Sequence, residues 1–150
     1  MLPKDLIRLL NGQSAEYLII GAQALAAHGY TRATSDIDIL INPSEQNIAR
    51  VRAALEAFGY DTSDATLEDF QTKKILFRKY WYDVDIHPSA KGIDTQEALH
   101  HKHPGLYEEI PSYFASLEDM IKMKQSAGRP EDLADLVHLE EIKRQLTQKT

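Results

Sequence analysis

The chain contains no cysteine among its 150 residues, which excludes disulfide bonds and thiolate metal sites. It also lacks any apolar run near the roughly 18 residues that a membrane-spanning helix needs. The N-terminal residues MLPKDLIRLLNG are too charged and too short in their apolar part to resemble a secretory signal peptide. We therefore expect a cytoplasmic protein that has no membrane partner.

An excess of basic residues is also absent, because 17 Lys and Arg stand against 23 Asp and Glu and the formal net charge is −6. Proteins that bind nucleic acid without regard to sequence usually carry a basic surface, so the charge disfavours that class. A polyphosphate ligand would need a metal ion or a few well-placed Lys and Arg. With 43% apolar residues, the 150 positions suit one globular domain with its own core, spanning residues 1–150.

Apolar spacing and turn residues predict alternating helices and strands in the first 59 positions. Helices are expected at 2–10, at 22–28 and between the start signal Pro43-Ser44 and Gly59, and strands at 16–20 and 36–41. Gly12, Gly29 and Gly59 suit the position just past a helix end, and Ser44 suits a helix start.

The second half of the chain predicts shorter elements. Residues 61–72 favour at most a short helix, and 74–87 read either as one strand or as a hairpin turning near Lys79 and Tyr80. A short helix should end at Leu99, and 106–114 should be extended. Helices should then begin at Ser116 and Pro130 and be separated by Gly128. The inward positions expected in the last helix are Leu133, Leu136, Val137 and Leu139.

Asp36 and Asp38 alternate with isoleucines in the second predicted strand, so both carboxylates should lie on one face. Such carboxylates are about 7 Å apart along the strand, repel each other and are costly to desolvate. A divalent cation such as Mg²⁺, which prefers oxygen ligands, is the simplest compensation. The alternative is a half-exposed strand that carries two solvated acids.

A glycine turn and a later strand extend this pattern. Gly21 lies between a strand and a helix, where backbone can approach a phosphate closely, although an ordinary tight turn would look the same. A third carboxylate is available from Asp83 or Asp85, which share a strand face. Asp85 is favoured because it lies between the apolar residues Val84 and Ile86.

Together, Gly21-Ala22, Asp36-Ile37-Asp38 and Val84-Asp85-Ile86 resemble the nucleotidyltransferase superfamily related to DNA polymerase beta. More narrowly, residues 21–41 and 117–136 resemble small bacterial nucleotidyltransferases of the abortive-infection toxin type and their uncharacterised relatives. The residues that match this narrower group are His28, Gly29, Arg32, Thr34, Lys124, Arg129, Asp132 and Asp135. The resemblance implies an α+β nucleotidyltransferase fold: a mixed β-sheet flanked by helices, with C-terminal helices over about 116–147 packed on it.

The resemblance also implies metal-assisted transfer of a nucleotide from an NTP, with release of pyrophosphate. Asp36 and Asp38 would hold two Mg²⁺ ions, and Asp85 would bind the metal nearer the acceptor and take the proton of its hydroxyl group. Lys124 would neutralise the triphosphate, unless it is simply a solvated helix lysine. Arg32, near Thr34, would contact either phosphate or a carboxylate.

The chain departs from the family at Ala22, where Gly or Ser is usual. Ala22 offers a phosphate only its backbone N–H, and the amide of Gln23 is the substitute we consider.

Other candidates have ordinary structural explanations. His100, His101 and His103 are expected in a solvated loop rather than in a metal cluster, and His28 is expected to pack at a helix end. The aromatic run Tyr80-Trp81-Tyr82 would either stack on a nucleobase or be buried in the sheet. Asp132 and Asp135, one helical turn apart, are expected to pair with Arg129 or Lys124.

Three functional hypotheses follow. The first is an active nucleotidyltransferase whose acceptor is an RNA end, a protein or a small molecule. The second is a nucleotide-binding regulatory or antitoxin-like subunit that does not catalyse, which Ala22 would favour. The third is a small-molecule enzyme of the aminoglycoside nucleotidyltransferase type. A partner protein or a homodimer is compatible with each.

Overall fold

A computed structural model describes residues 1–148 of the chain. Its helices are α1 Pro3–Gly12, α2 Ala22–Ala27, α3 Glu45–Phe58, α4 Leu67–Thr72, α5 Thr95–His100, α6 Leu117–Ala127 and α7 Pro130–Gln148. Its strands are β1 Tyr17–Ile20, β2 Asp36–Ile41, β3 Ile75–Phe77, β4 Asp83–His87, β5 His103–Tyr107 and β6 Ile110–Phe114. No helix among these is both long enough and apolar enough to cross a membrane.

The strands form one mixed sheet in the order β3-β4-β2-β1-β6-β5. The central pair β1 and β2 is antiparallel, whereas β2 pairs with β4 and β1 with β6 in parallel. Antiparallel hairpins, β3-β4 and β5-β6, close the two ends. With helices around this sheet and two helices at the C-terminus, the predicted α+β architecture is confirmed.

Local sequence signals explain the central elements. All four residues of β1 are buried, and in β2 the isoleucines face the core while Asp36 and Asp38 face away from it. The Ser44 hydroxyl accepts a hydrogen bond from the Asn47 backbone N–H at the start of α3, and Gly59 ends that helix at a φ of 112°. The predicted boundaries of β2 and α3 are therefore confirmed.

Two hairpins resolve or correct predictions made for single segments. Residues 74–87 form the hairpin β3-β4 rather than one strand. Residues 106–114, predicted to be one extended stretch, turn at Glu108 and Glu109, whose φ angles are 45° and 73°. The predicted histidine loop was wrong in part, because His100 lies in α5 and His103 in β5. Gly12 is the last residue of α1 rather than the first beyond it.

The predicted inward face of α7 was also wrong at two positions. Leu133 and Val137 are 50% and 68% exposed, whereas Leu139 is fully buried and Leu136 is half-buried. Asp132 and Asp135 take the other buried positions of this helix. The helix is rotated because these two acids are paired with basic residues of the neighbouring elements, a force that apolar spacing does not reveal.

Candidate active site

The parallel pairing of β2 and β4 aligns four carboxylates in two adjacent pairs. Asp36 is paired in register with Asp83, and Asp38 with Asp85. Because alternate residues of a strand face the same side, all four lie on one face of the sheet. Asp36, Asp38 and Asp85 line a cleft of about 610 Å³, and Asp83 does not. The structure thus brings together the three acids that the sequence analysis favoured.

Gly21 places backbone directly against Asp38. It has a φ of 71°, in the left-handed region, and a Cβ atom at this position would overlap the Asp38 carboxylate. No other residue type would therefore fit without moving the acid or the turn. Gly21 and Ala22 both line the cleft, as predicted for a turn beside the acids.

The acids carry a surplus of negative charge. Partial desolvation by its neighbours raises the pKa of Asp36, and the charges of Asp83, Asp38 and Asp85 raise it further. A group of possible metal ligands forms here from Asp38, Asp85 and His87, whose ligand atoms all lie within 4.8 Å of one another. Carboxylate oxygens suit Mg²⁺ and Mn²⁺, and imidazole nitrogen suits transition metals such as zinc, iron and nickel. The donor set therefore fits a divalent cation.

His87 is a site residue that the sequence analysis missed. Its Nε2 atom lies 2.9 Å from Oδ1 of Asp38. The signal was present, because Asp83, Asp85 and His87 alternate along one strand and so share a face.

Arg78 is a second missed residue. Its Nη1 donates a hydrogen bond of 2.7 Å to Oδ1 of Asp85, and its Nε lies 3.4 Å from Oδ1 of Asp83. The hydrogen bond to Asp85 raises the pKa of Arg78. The β3-β4 hairpin, which was only one of two alternatives for this segment, brings this positive charge to the acids.

Lys124 and Arg32 converge on one buried acid of α7. The Lys124 Nζ lies 3.3 Å from Oδ1 of Asp132 and 3.0 Å from Oδ2 of Asp135, and Arg32 Nη1 lies 3.0 Å from the same Oδ2. Lys124 is only 8% exposed, so the alternative of a solvated helix lysine is wrong. Arg32 pairs with a carboxylate, and both cations also line the cleft.

Asp132 extends this network to Arg129. The Arg129 guanidinium donates to both Asp132 oxygens, at 2.7 and 3.3 Å, and its backbone N–H donates at 3.2 Å. These hydrogen bonds, with a further one from Lys124, hold the pKa of Asp132 below its usual range despite its burial. The predicted pairing of Asp132 and Asp135 with Arg129 and Lys124 is confirmed.

Thr34 and Gln23 take different positions around Asp36. The Thr34 hydroxyl accepts a hydrogen bond of 3.1 Å from the Asp36 backbone N–H, and Thr34 lines the cleft. Gln23 instead donates its side-chain N–H to the Asp36 carbonyl oxygen at 3.3 Å and lines a smaller neighbouring pocket. The cleft further contains Lys74 and Lys91, which the sequence analysis did not single out.

The remaining candidates are His28 and the aromatic run Tyr80-Trp81-Tyr82. His28 packs at the end of α2, where its Nε2 lies 2.8 Å from the Ala115 carbonyl oxygen and burial lowers its pKa. Tyr82 is buried, whereas Trp81 is 74% exposed, so burial does not explain the whole aromatic run. A larger cavity of about 680 Å³ lies around Tyr17 and Tyr113 and includes none of the acids above.

Comparison with known proteins gives one family. The family model of aminoglycoside-2''-adenylyltransferase matches residues 4–125, which include Gly21, the cleft acids Asp36, Asp38 and Asp85, and Lys124. No curated protein matches the chain.

Proposed function

This chain belongs to the aminoglycoside-2''-adenylyltransferase family, and we propose that it transfers the adenylyl group of ATP to a hydroxyl group of a small molecule. The family is of the nucleotidyltransferase type, as the resemblance of the acid motifs implied. The match gives no support to the narrower likeness to abortive-infection toxins. Among the three acceptor classes considered, it favours the small molecule.

The observation that carries the proposal is the register of Asp38 and Asp85 beside Gly21. The same cleft contains carboxylates, which would hold a divalent cation, and five basic side chains, which suit a triphosphate. These basic residues are Arg32, Lys74, Lys91, Lys124 and Arg129. A nucleoside triphosphate bound with a divalent cation needs both acidic and basic side chains in one cleft.

The residues that would hold Mg²⁺ are Asp38 and Asp85, whose ligand atoms converge with that of His87, and Asp36 on the same face of the sheet. A bound divalent cation supplies neutralisation of phosphate charge and polarisation of the reacting oxygens. Lys124 and Arg32 bind the β- and γ-phosphates as positive charges, held at the cleft by Asp135. The Gly21 turn lets the triphosphate approach the backbone, and Ala22 contributes its N–H.

The transfer is a displacement at the α-phosphorus of ATP. The acceptor oxygen forms a bond to this phosphorus, the bond to the bridging oxygen breaks, and pyrophosphate leaves with the electron pair. The hydroxyl proton passes to the Asp85 carboxylate, which lies beside Asp38 in the sheet.

A small cationic acceptor agrees with the charge of the protein. The net charge of −6 attracts a polyamine and repels RNA, whose binding requires neutralised phosphates. Aminoglycosides, after which the family is called, carry several amines and hydroxyl groups.

The first test is thermal unfolding with each of the four NTPs, with and without Mg²⁺. A ligand present at 100 times its dissociation constant adds about 2.7 kcal/mol, which is a rise of several degrees for this size. We expect a Mg²⁺-dependent rise that is largest with ATP and is lost in Asp38→Ala. The matched control is Asp83→Ala, an acid of the same face that lies outside the cleft. An equal rise in Asp38→Ala would refute the site.

The second test measures pyrophosphate release from Mg·ATP with kanamycin as the acceptor. Release that depends on both substrates and disappears in Asp38→Ala is the expected result. Stabilisation by ATP without release of pyrophosphate with any aminoglycoside would favour the regulatory alternative, to which the missing hydroxyl at Ala22 also points.

A further inference from the structure

A smaller pocket adjoins the cleft and shares part of its wall. It has a volume of about 180 Å³, and Thr34 and Asp36 line both spaces. Its far side comes from the two hairpins: Trp81 and Tyr82 precede β4, and Tyr107 and Glu108 lie at the turn between β5 and β6. Asp36 therefore stands between two pockets built from different elements.

The two pockets differ in charge. The cleft is lined by five Lys and Arg and by five acids, whereas among the described residues no Lys or Arg lines the smaller pocket. Its charged residues are Asp36 and Glu108, which are both acidic and exposed. The cleft therefore suits a triphosphate bound together with a divalent cation, whereas the smaller pocket, which has acids alone, suits a cation.

Trp81 gives the smaller pocket an aromatic wall. Its ring is 74% exposed, although tryptophan is usually well buried in folded proteins. The Trp81 and Tyr82 rings are nearly perpendicular, with centroids 5.0 Å apart, and Tyr82 is fixed by burial and by the hydrogen bond that its hydroxyl donates to the Met1 carbonyl oxygen. An exposed indole ring attracts ammonium groups and packs against apolar ring faces.

We propose that this pocket binds the acceptor, a hydroxylated small molecule with positively charged amines. One ring of the acceptor packs against Trp81, and its amines lie near Glu108. Since ligand pockets usually have volumes of about 300–1,000 Å³, a pocket of about 180 Å³ encloses only one ring and leaves the rest of the acceptor in solvent. The inference rests on the proposed function, because it supplies the second substrate of that reaction.

The pocket lies next to the cleft, because Thr34 and Asp36 line both spaces. An acceptor held by Trp81 would therefore lie beside a nucleotide bound in the cleft.

The test uses the fluorescence of Trp81, which is the single tryptophan of the chain. We would titrate the nucleotide-free protein with kanamycin, with the uncharged sugar trehalose and with spermidine, a polyamine without a ring. Kanamycin should change the emission saturably, and it should bind at least about tenfold more tightly than either control compound, since it alone offers both ring and charge. Equal binding of trehalose, or no response to kanamycin, would overturn the proposal.

Two neighbouring acids provide matched variants. Glu108→Gln removes the charge at the pocket, and Glu109→Gln removes the same charge from the same turn outside it. We expect kanamycin binding to weaken about tenfold or more in the first variant and to stay unchanged in the second. Equal weakening in both would show attraction by overall charge and would overturn the assignment of Glu108.

Failure of this inference can be separated from failure of the proposed function. The titration needs no nucleotide, and Mg·ATP stabilisation needs no acceptor. Normal stabilisation by Mg·ATP without a kanamycin response would refute the acceptor pocket alone. A kanamycin response without stabilisation by any NTP would refute the nucleotide site and leave the cation pocket.

Discussion

Arg32, in the loop before β2, and Asp135, in the last helix, lie 3.0 Å apart between Nη1 and Oδ2. The same carboxylate oxygen lies 3.0 Å from Lys124 Nζ, and Asp135 is 1% exposed. The buried Asp135 carboxylate thus links Arg32 and Lys124, which both line the cleft, to α7.

We expect Asp135→Asn to weaken both folding and nucleotide binding. Loss of one partner from a buried ion pair costs about 3–5 kcal/mol because the remaining charge is left uncompensated. Asp132 still contacts Lys124, so we expect about 3 kcal/mol, measured by urea unfolding. Glu140→Gln, an exposed acid of the same helix, should stay within about 0.5 kcal/mol of wild type. A loss below about 1 kcal/mol in Asp135→Asn would contradict the role given to this pair.

Alanine substitutions at two glycines can separate backbone strain at positive φ from a steric clash with Asp38. Gly21 and Gly29 both have positive φ angles, of 71° and 98°, so alanine at either position should cost roughly 1–2 kcal/mol. A Cβ at Gly21 also overlaps the Asp38 carboxylate, whereas a Cβ at Gly29 has no heavy atom within 4 Å.

Gly21→Ala should therefore lose the stabilisation by Mg·ATP, and Gly29→Ala should keep it. The measurement is the rise in melting temperature on adding Mg·ATP, taken relative to each variant's own ligand-free value. If Gly21→Ala kept the full rise, the close approach of this turn to Asp38 would be irrelevant to binding.

Asp132 should make the free energy of unfolding depend on pH. Its pKa in the folded protein lies below the ordinary value of 3.8, so its charge stabilises the folded state fully above that value. The contribution is lost as the pH falls through the lowered pKa. The difference in unfolding free energy between wild type and Asp132→Asn should be largest near pH 6 and shrink below pH 3.8.

The matched control for this pH series is Glu131→Gln, because Glu131 is the exposed neighbour of Asp132 on α7. Its difference from wild type should be small at every pH. A difference for Asp132→Asn that stays constant between pH 6 and pH 3 would show that its carboxylate does not titrate with folding.

The rotated face of α7 can be checked with two apolar residues of the same helix. Leu139 is fully buried, so Leu139→Ala should destabilise the protein by about 2–5 kcal/mol. Val137 is 68% exposed, and Val137→Ala should change stability by about 0.5 kcal/mol or less. Chemical denaturation of both variants gives the comparison. A larger loss in Val137→Ala would restore the inward face that apolar spacing predicted.

Elements specified by short-range patterns were predictable from the sequence. The strand 36–41 follows from strict alternation of acids and isoleucines, and α3 from a serine cap, helical spacing and a terminal glycine. The same alternation placed Asp36 and Asp38 on one face and favoured Asp85 over Asp83. Only Asp85 of these two lines the cleft.

Features that lack a local sequence signal, or that depend on contacts between elements, were not predictable. The hairpin turn at Glu108 and Glu109 contains no glycine or asparagine, although both residues adopt positive φ. The inward face of α7 depends on Lys124 and Arg32, which lie outside that helix. Arg78 reaches Asp85 only because 74–87 folds back on itself as a hairpin.

The order of the strands has a consequence for synthesis of the chain. Buried β1 is made early and gains β2 soon afterwards, but its second neighbour is β6, more than ninety positions later along the chain. Until Phe114 has left the ribosome, one edge of the central strand remains open to pairing with other chains. We expect nascent chains that stop before β6 to aggregate, and pairing of β1 with β6 to be a late, slow event in folding.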